Sequence, residues 1–165
     1  MTKRPAAQKS RPRNKSLRVA IIVDPYGSVS MDRTGADEIA EHKADLTKLL
    51  RGHRLTFTAP SWVDDKMSAD LVIFDFGGMS IGNDLMADNS RRLIRWAQDH
   101  SSSLIVVVSM FTWTHGVFYE LRELGIVPDD APLPSSFDDS ATSPLVNVIT
   151  GSRDTWEKAI KEWFK

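Results

Sequence analysis

The sequence predicts one three-layer α/β/α domain built on a five-stranded parallel sheet of order 2-1-3-4-5. Three apolar runs carry this expectation: Val19–Val23, Leu71–Phe74 and Leu104–Val108. Each is rich in β-branched residues and nearly uninterrupted, as strands buried on both faces are. Each breaks off into polar or small residues. Between the runs lie segments with helical spacing of apolar residues, and such alternation of strand and helix means a parallel sheet with right-handed crossovers.

The first strand is followed by a long polar loop, Asp24 to Thr34. A helix is expected from about Gly35 to Arg51. Thr34 and Asp37 are spaced as a capping box, Ile39, Leu46, Leu49 and Leu50 share one face, and Gly52 ends it. Arg54–Thr58 alternates apolar and polar residues and reads as a half-exposed strand. Ser61–Ser68 has room for a short helix only, with Ser61 and Asp64 placed to cap it. The second saturated strand covers 71–76. A glycine-rich loop leads to a helix that ends near Asp99 and buries Leu85, Leu93, Trp96 and Ala97. The third saturated strand covers 104–109. A further helix carries Val117, Phe118, Leu121 and Leu124 inward, with Gly125 as its stop and Pro128 after it. Leu145–Ile149 reads as the last strand. A final helix from Ser152 places Trp156, Ala159, Ile160 and Trp163 on one stripe. Trp62, Trp96, Trp156 and Trp163 all read as packing residues on helical segments. The half-polar second strand and the Asn147-bearing fifth strand are the expected edges.

The chain has 165 residues and a formal net charge of −1, which suits one domain with a proper core. That small charge hides an asymmetry. Residues 1–16 hold six of the 21 basic residues and none of the 22 acidic ones. They contain no apolar side chain larger than alanine after Met1, so the expectation is a disordered basic arm at 1–16 and a folded domain at 17–165. The arm reads either as a weak tether to nucleic acid or another polyanion, or as a solubilising tail. Residues 128–144 form a long acidic, proline-rich connection, read as a solvated insertion or a partner-binding loop. Cysteine is absent, which excludes disulfides, thiolate chemistry and Cys-based zinc sites. His42, His53, His100 and His115 show no metal-ligand spacing. No apolar run is long enough to span a bilayer and no secretory h-region is visible, so a cytoplasmic protein with no membrane contact is expected.

In open α/β sheets ligands sit beyond the carboxyl ends of the strands, at the topological switch point. This rule selects Asp24, Tyr26, Gly27, Ser28, Asp75, Gly77, Gly78, Ser109 and Trp113 as candidate ligand-binding residues. Asp24 and Asp75 end neighbouring strands, and two carboxylates so placed suit Mg²⁺, which takes oxygen ligands and keeps several waters.

The pattern resembles the flavodoxin-like superfamily, and three of its members in particular. Asp24, Asp75 and Ser109 are similar in position to the acid, the phosphate-accepting Asp and the Ser or Thr of response-regulator receiver domains. The chain departs from receivers in having Val23-Asp24 where paired acids are usual. It also lacks a Lys within Asn147–Gly151. Tyr26-Gly27-Ser28 and Thr34-Gly35 look like a stretched phosphate loop of flavodoxin, with Phe111 or Trp113 as flavin-facing aromatics, which would imply FMN. Gly77-Gly78, Ser109 and His115 sketch the oxyanion donors, nucleophile and base of amidotransferase-like enzymes, whose usual cysteine is missing here. The catalytic set is incomplete in every comparison. The expectation is therefore a non-catalytic, ligand-binding or regulatory module of degenerate receiver-like type acting through a protein partner, with an FMN-binding redox protein as the alternative.

Overall fold

The computed structural model describes residues 15–23, 34–75, 84–108, 121–130, 145–150 and 152–165. Its elements are β1 (Ser16–Val23), α1 (Gly35–Leu49), β2 (Arg54–Thr58), β3 (Leu71–Asp75), α2 (Asp84–Asp99), β4 (Leu104–Val108), β5 (Val148–Ile149) and α3 (Arg153–Trp163). All strand pairs are parallel, in the order β2-β1-β3-β4-β5. This is the flavodoxin-like order expected from the sequence.

The saturated runs form the middle of the sheet because both of their faces are covered. Leu17, Val19, Ile21, Leu71, Ile73, Leu104 and Val106 point to one side, against Leu46 of α1, Leu50 at its C-cap, and Trp156, Ile160 and Phe164 of the C-terminal segment. Ala20, Ile22, Val72, Phe74, Ile105 and Val107 point to the other, against Leu93, Ile94, Trp96 and Ala97 of α2 and Leu121. Arg153 donates to Asp45 at 2.6 Å and so ties α3 to α1 on the first side.

Local signals fix the helix ends. The Thr34–Asp37 capping box is formed in both directions. Gly52 adopts φ +100 after α1, and Gly125 adopts φ +67 after the helical turn at residues 121–123. Both lie in the left-handed region that favours glycine.

Several expectations need correction. Ser16 belongs to β1, and Lys15 O accepts from Arg54 N at 3.1 Å. The sheet thus begins within the segment assigned to the arm, because β2 extends the ladder; residues 1–14 lie outside the described ones. The segment 61–68 is not a helix. Its backbone groups are taken by side chains instead: Asn89 accepts from Val63 N at 2.8 Å and donates to Ser61 O at 3.1 Å, and Asp64 accepts from Lys66 N at 2.7 Å in an Asx turn. Trp62 therefore sits on an irregular crossover rather than on a helix and is 40% exposed. The last strand shrinks to Val148–Ile149, because Val148 N bonds back to Leu145 O in a turn.

That turn delivers Asn147 into the interior. Its side chain donates to Ala97 O at 3.0 Å, His100 O at 3.3 Å and Ser103 O at 3.1 Å. These are carbonyls around the C-terminus of α2, which have no partner within the helix. β5 is an edge, as expected. Asn147 itself is buried and holds the end of α2 to the sheet.

Candidate functional site

The order β2-β1-β3-β4-β5 puts the switch point between β1 and β3, where the chain leaves in opposite directions from two adjacent strands. The register aligns Val23 with Asp75 and Asp75 with Val108. One rung thus closes the carboxyl end of the three central strands, with Asp75 at its centre. Asp24 and Ser109 follow the outer members of this rung in sequence.

Asp75 has the parity of Leu71 and Ile73, so its side chain projects toward α1 and α3. There it meets His42 from the second turn of α1. His42 Nε2 lies 2.7 Å from Asp75 Oδ2, with the two side chains only 12% and 14% exposed. The distance falls at the short end of the roughly 2.7–2.9 Å expected of a charge-assisted N–H···O bond. With the carboxylate ionised it only accepts, and Nε2 is then the donor. Glu38, one turn nearer the start of α1 and on the same face, is also buried, at 6% exposure. The arrangement joins a carboxylate at the sheet end to α1 through the His42 imidazole.

His42 was not among the residues selected from the sequence, although a signal existed. Ile39, His42 and Leu46 follow each other at spacings of three and four. His42 thus lies on the inward stripe of α1 and had to face the sheet. Of the selected residues, Asp75 is described, as the last residue of β3. Asp24, Tyr26, Gly27, Ser28, Gly77, Gly78, Ser109 and Trp113 lie outside the described residues, as do His115 and Phe111. For Mg²⁺, Asp75 supplies one described carboxylate with Oδ2 already turned to His42, while its expected companion Asp24 is outside the described residues. Among the described residues, no three His, Asp or Glu side chains are grouped to hold a metal ion.

A second polar cluster marks the opposite end of the sheet. Arg18 donates to Asp70 from its backbone N at 2.7 Å, from Nε at 3.1 Å and from Nη2 at 3.0 Å, and its Nη1 meets Ser68 Oγ. The side-chain bond from Arg18 is the main cause that holds the Asp70 carboxyl below its ordinary value. Asp70 N and O also bond to Arg18 O and Leu104 N. This cluster staples the starts of β1, β3 and β4 together and is structural.

Among the described residues no helix is long and apolar enough to cross a membrane. No protein-family model matches the chain, and no curated protein is significantly similar to it in sequence.

Proposed function

We propose that this chain is a regulatory module of receiver-like type. It takes a small ligand or Mg²⁺ at the carboxyl ends of β1, β3 and β4, and acts through a protein partner rather than by turnover of its own. The observation that carries this reading is the His42–Asp75 pair. Asp75 ends the central strand next to the switch point, where a receiver-like module carries its acceptor carboxylate. Here Oδ2 of that carboxylate is engaged by an imidazole. A ligand that takes Asp75 Oδ2 competes with His42, and His42 is part of α1. Binding is thereby coupled to a helix whose outer face, including Asp37, Ala44, Thr47 and Lys48, is exposed to a partner.

Mg²⁺, when bound, supplies positive charge to the carboxylate while keeping most of its waters. The chain's own part is to present Asp75, to orient it through His42, and to bring the ends of β1, β3 and β4 at Val23, Asp75 and Val108 to the same edge.

Absorbance and intact mass test this reading. The purified protein is expected to be colourless and to gain no stable phosphoryl group from acetyl phosphate and Mg²⁺. A stoichiometric flavin spectrum would replace this reading with an FMN-dependent redox protein. Labelling that vanishes in Asp75→Asn would make the chain a working receiver.

A further inference from the structure

The crossover from β2 to β3, residues 59–70, runs over the α2 face of the sheet without forming a helix. Between it and α2 opens a cleft of about 730 Å³. One wall is acidic, with Asp64 and Asp65 on the crossover and Glu123 at the adjoining helical turn. The other is basic, with Arg91 and Arg95 one turn apart on α2. Asp65, Glu123 and Arg91 carry no ion pair among the described residues, although opposite charges line the same cleft. At the rim stands Trp62, 40% exposed. The Arg92 guanidinium lies 5.4 Å from its ring centroid and is held in turn by Asp88 at 3.0 Å. An exposed tryptophan fixed under an arginine has the composition of an interface hot spot.

We propose that this face is a self-complementary interface between two copies of the chain. Binding sites for nucleic acid or other polyanions carry one sign of charge, whereas the described residues that line this cleft include three arginines and four carboxylates. A two-fold axis through the cleft sets each acidic wall against the partner's basic wall, so every contact occurs twice. The two Trp62 rings, one from each copy, supply the apolar contact at its rim. Exposed ion pairs add little affinity, so the charges set register and Trp62 supplies most of the binding.

The dimer does not depend on ligand binding at Asp75, which lies at the carboxyl end of β3, so Asp75→Asn leaves the association unchanged. The test is sedimentation equilibrium of the full chain from low to high micromolar concentration. Wild type is expected to shift from one to two chain masses. Arg91→Glu with Arg95→Glu makes both walls acidic, and Asp65→Lys with Glu123→Lys reverses the other wall. Each double variant alone is expected to remain monomeric where wild type is dimeric, and an equimolar mixture of the two should recover the dimer mass. Trp62→Ala, which leaves the charges untouched, should weaken association by about tenfold or more. A wild type that stays monomeric throughout overturns the proposal. So does a dimer indifferent to both double variants and to Trp62→Ala, or a mixture that fails to recover the dimer. Retention of an RNA or a different protein on this face by a monomeric wild type would assign another occupant and also overturn it.

Discussion

Asn147→Ala should be among the most damaging single substitutions outside the apolar core. The side chain is buried, at 5% exposure, and its amide nitrogen reaches three carbonyl oxygens at 3.0, 3.3 and 3.1 Å. An amide has two hydrogens, so these contacts amount to two full bonds with one shared. Each full bond contributes about 1 kcal/mol net, and a carbonyl left buried without a donor costs more than that, although His100 O keeps the Ser103 N–H. The expected loss is about 3 kcal/mol, which for a domain of this size lowers Tm by roughly 6–12 °C. Asn147→Asp should be worse, because it turns a carboxylate oxygen toward carbonyls that need a donor. Urea denaturation followed by the fluorescence of buried Trp96 and Trp156 measures both effects. Amide exchange at Ile105, whose N–H bonds to Asn147 O at 2.8 Å, should accelerate in both variants. A loss below about 0.5 kcal/mol for Asn147→Ala, or an Asn147→Asp no less stable than Asn147→Ala, would refute the clamp.

Three further outcomes are expected. His42→Ala leaves the mostly buried Asp75 carboxylate without its imidazole and should cost about 1–3 kcal/mol in the same urea assay. Asp70→Asn should flatten the acid limb of the stability–pH curve. Because Arg18 depresses the Asp70 carboxyl in the folded state, the native protein holds fewer protons there than the unfolded chain. That stabilisation is complete above the ordinary value of 3.8 and is lost as pH falls through the lower folded value. Gly52→Ala should destabilise by about 1–2 kcal/mol through backbone strain alone, since a Cβ there meets no atom within 4 Å and φ is +100; crowding by a neighbour is thereby excluded as the cause.

Strand order and helix faces were legible because they follow from periodicity. Saturated runs must be central, and Thr34, Asp37, Gly52 and Gly125 mark ends by local chemistry alone. The features that escaped are polar side chains acting over long sequence distances. Asn89 replaces helical hydrogen bonds at Ser61 and Val63, 28 and 26 residues away. Asn147 reads as the mark of a solvent-facing edge until its partners, 44 to 50 residues away, are known. His42 shared a helical stripe with Ile39 and Leu46, but its pairing with Asp75 required the register that places α1 over the end of β3. Asp75 itself was legible, because the last residue of a central strand at a switch point can be found from strand order.

Asp75 and His42 are proposed as the responsive centre of a site at the carboxyl end of the sheet. Backbone and histidine-ring NMR shifts during an Mg²⁺ titration test this most directly, with Asp75→Asn as the control. Saturable changes are expected at His42, Val23, Asp75 and Val108, and they should be lost in the variant. Shifts confined to the opposite end, around Arg18, Asp70 and Leu104, or unchanged in Asp75→Asn, would contradict it.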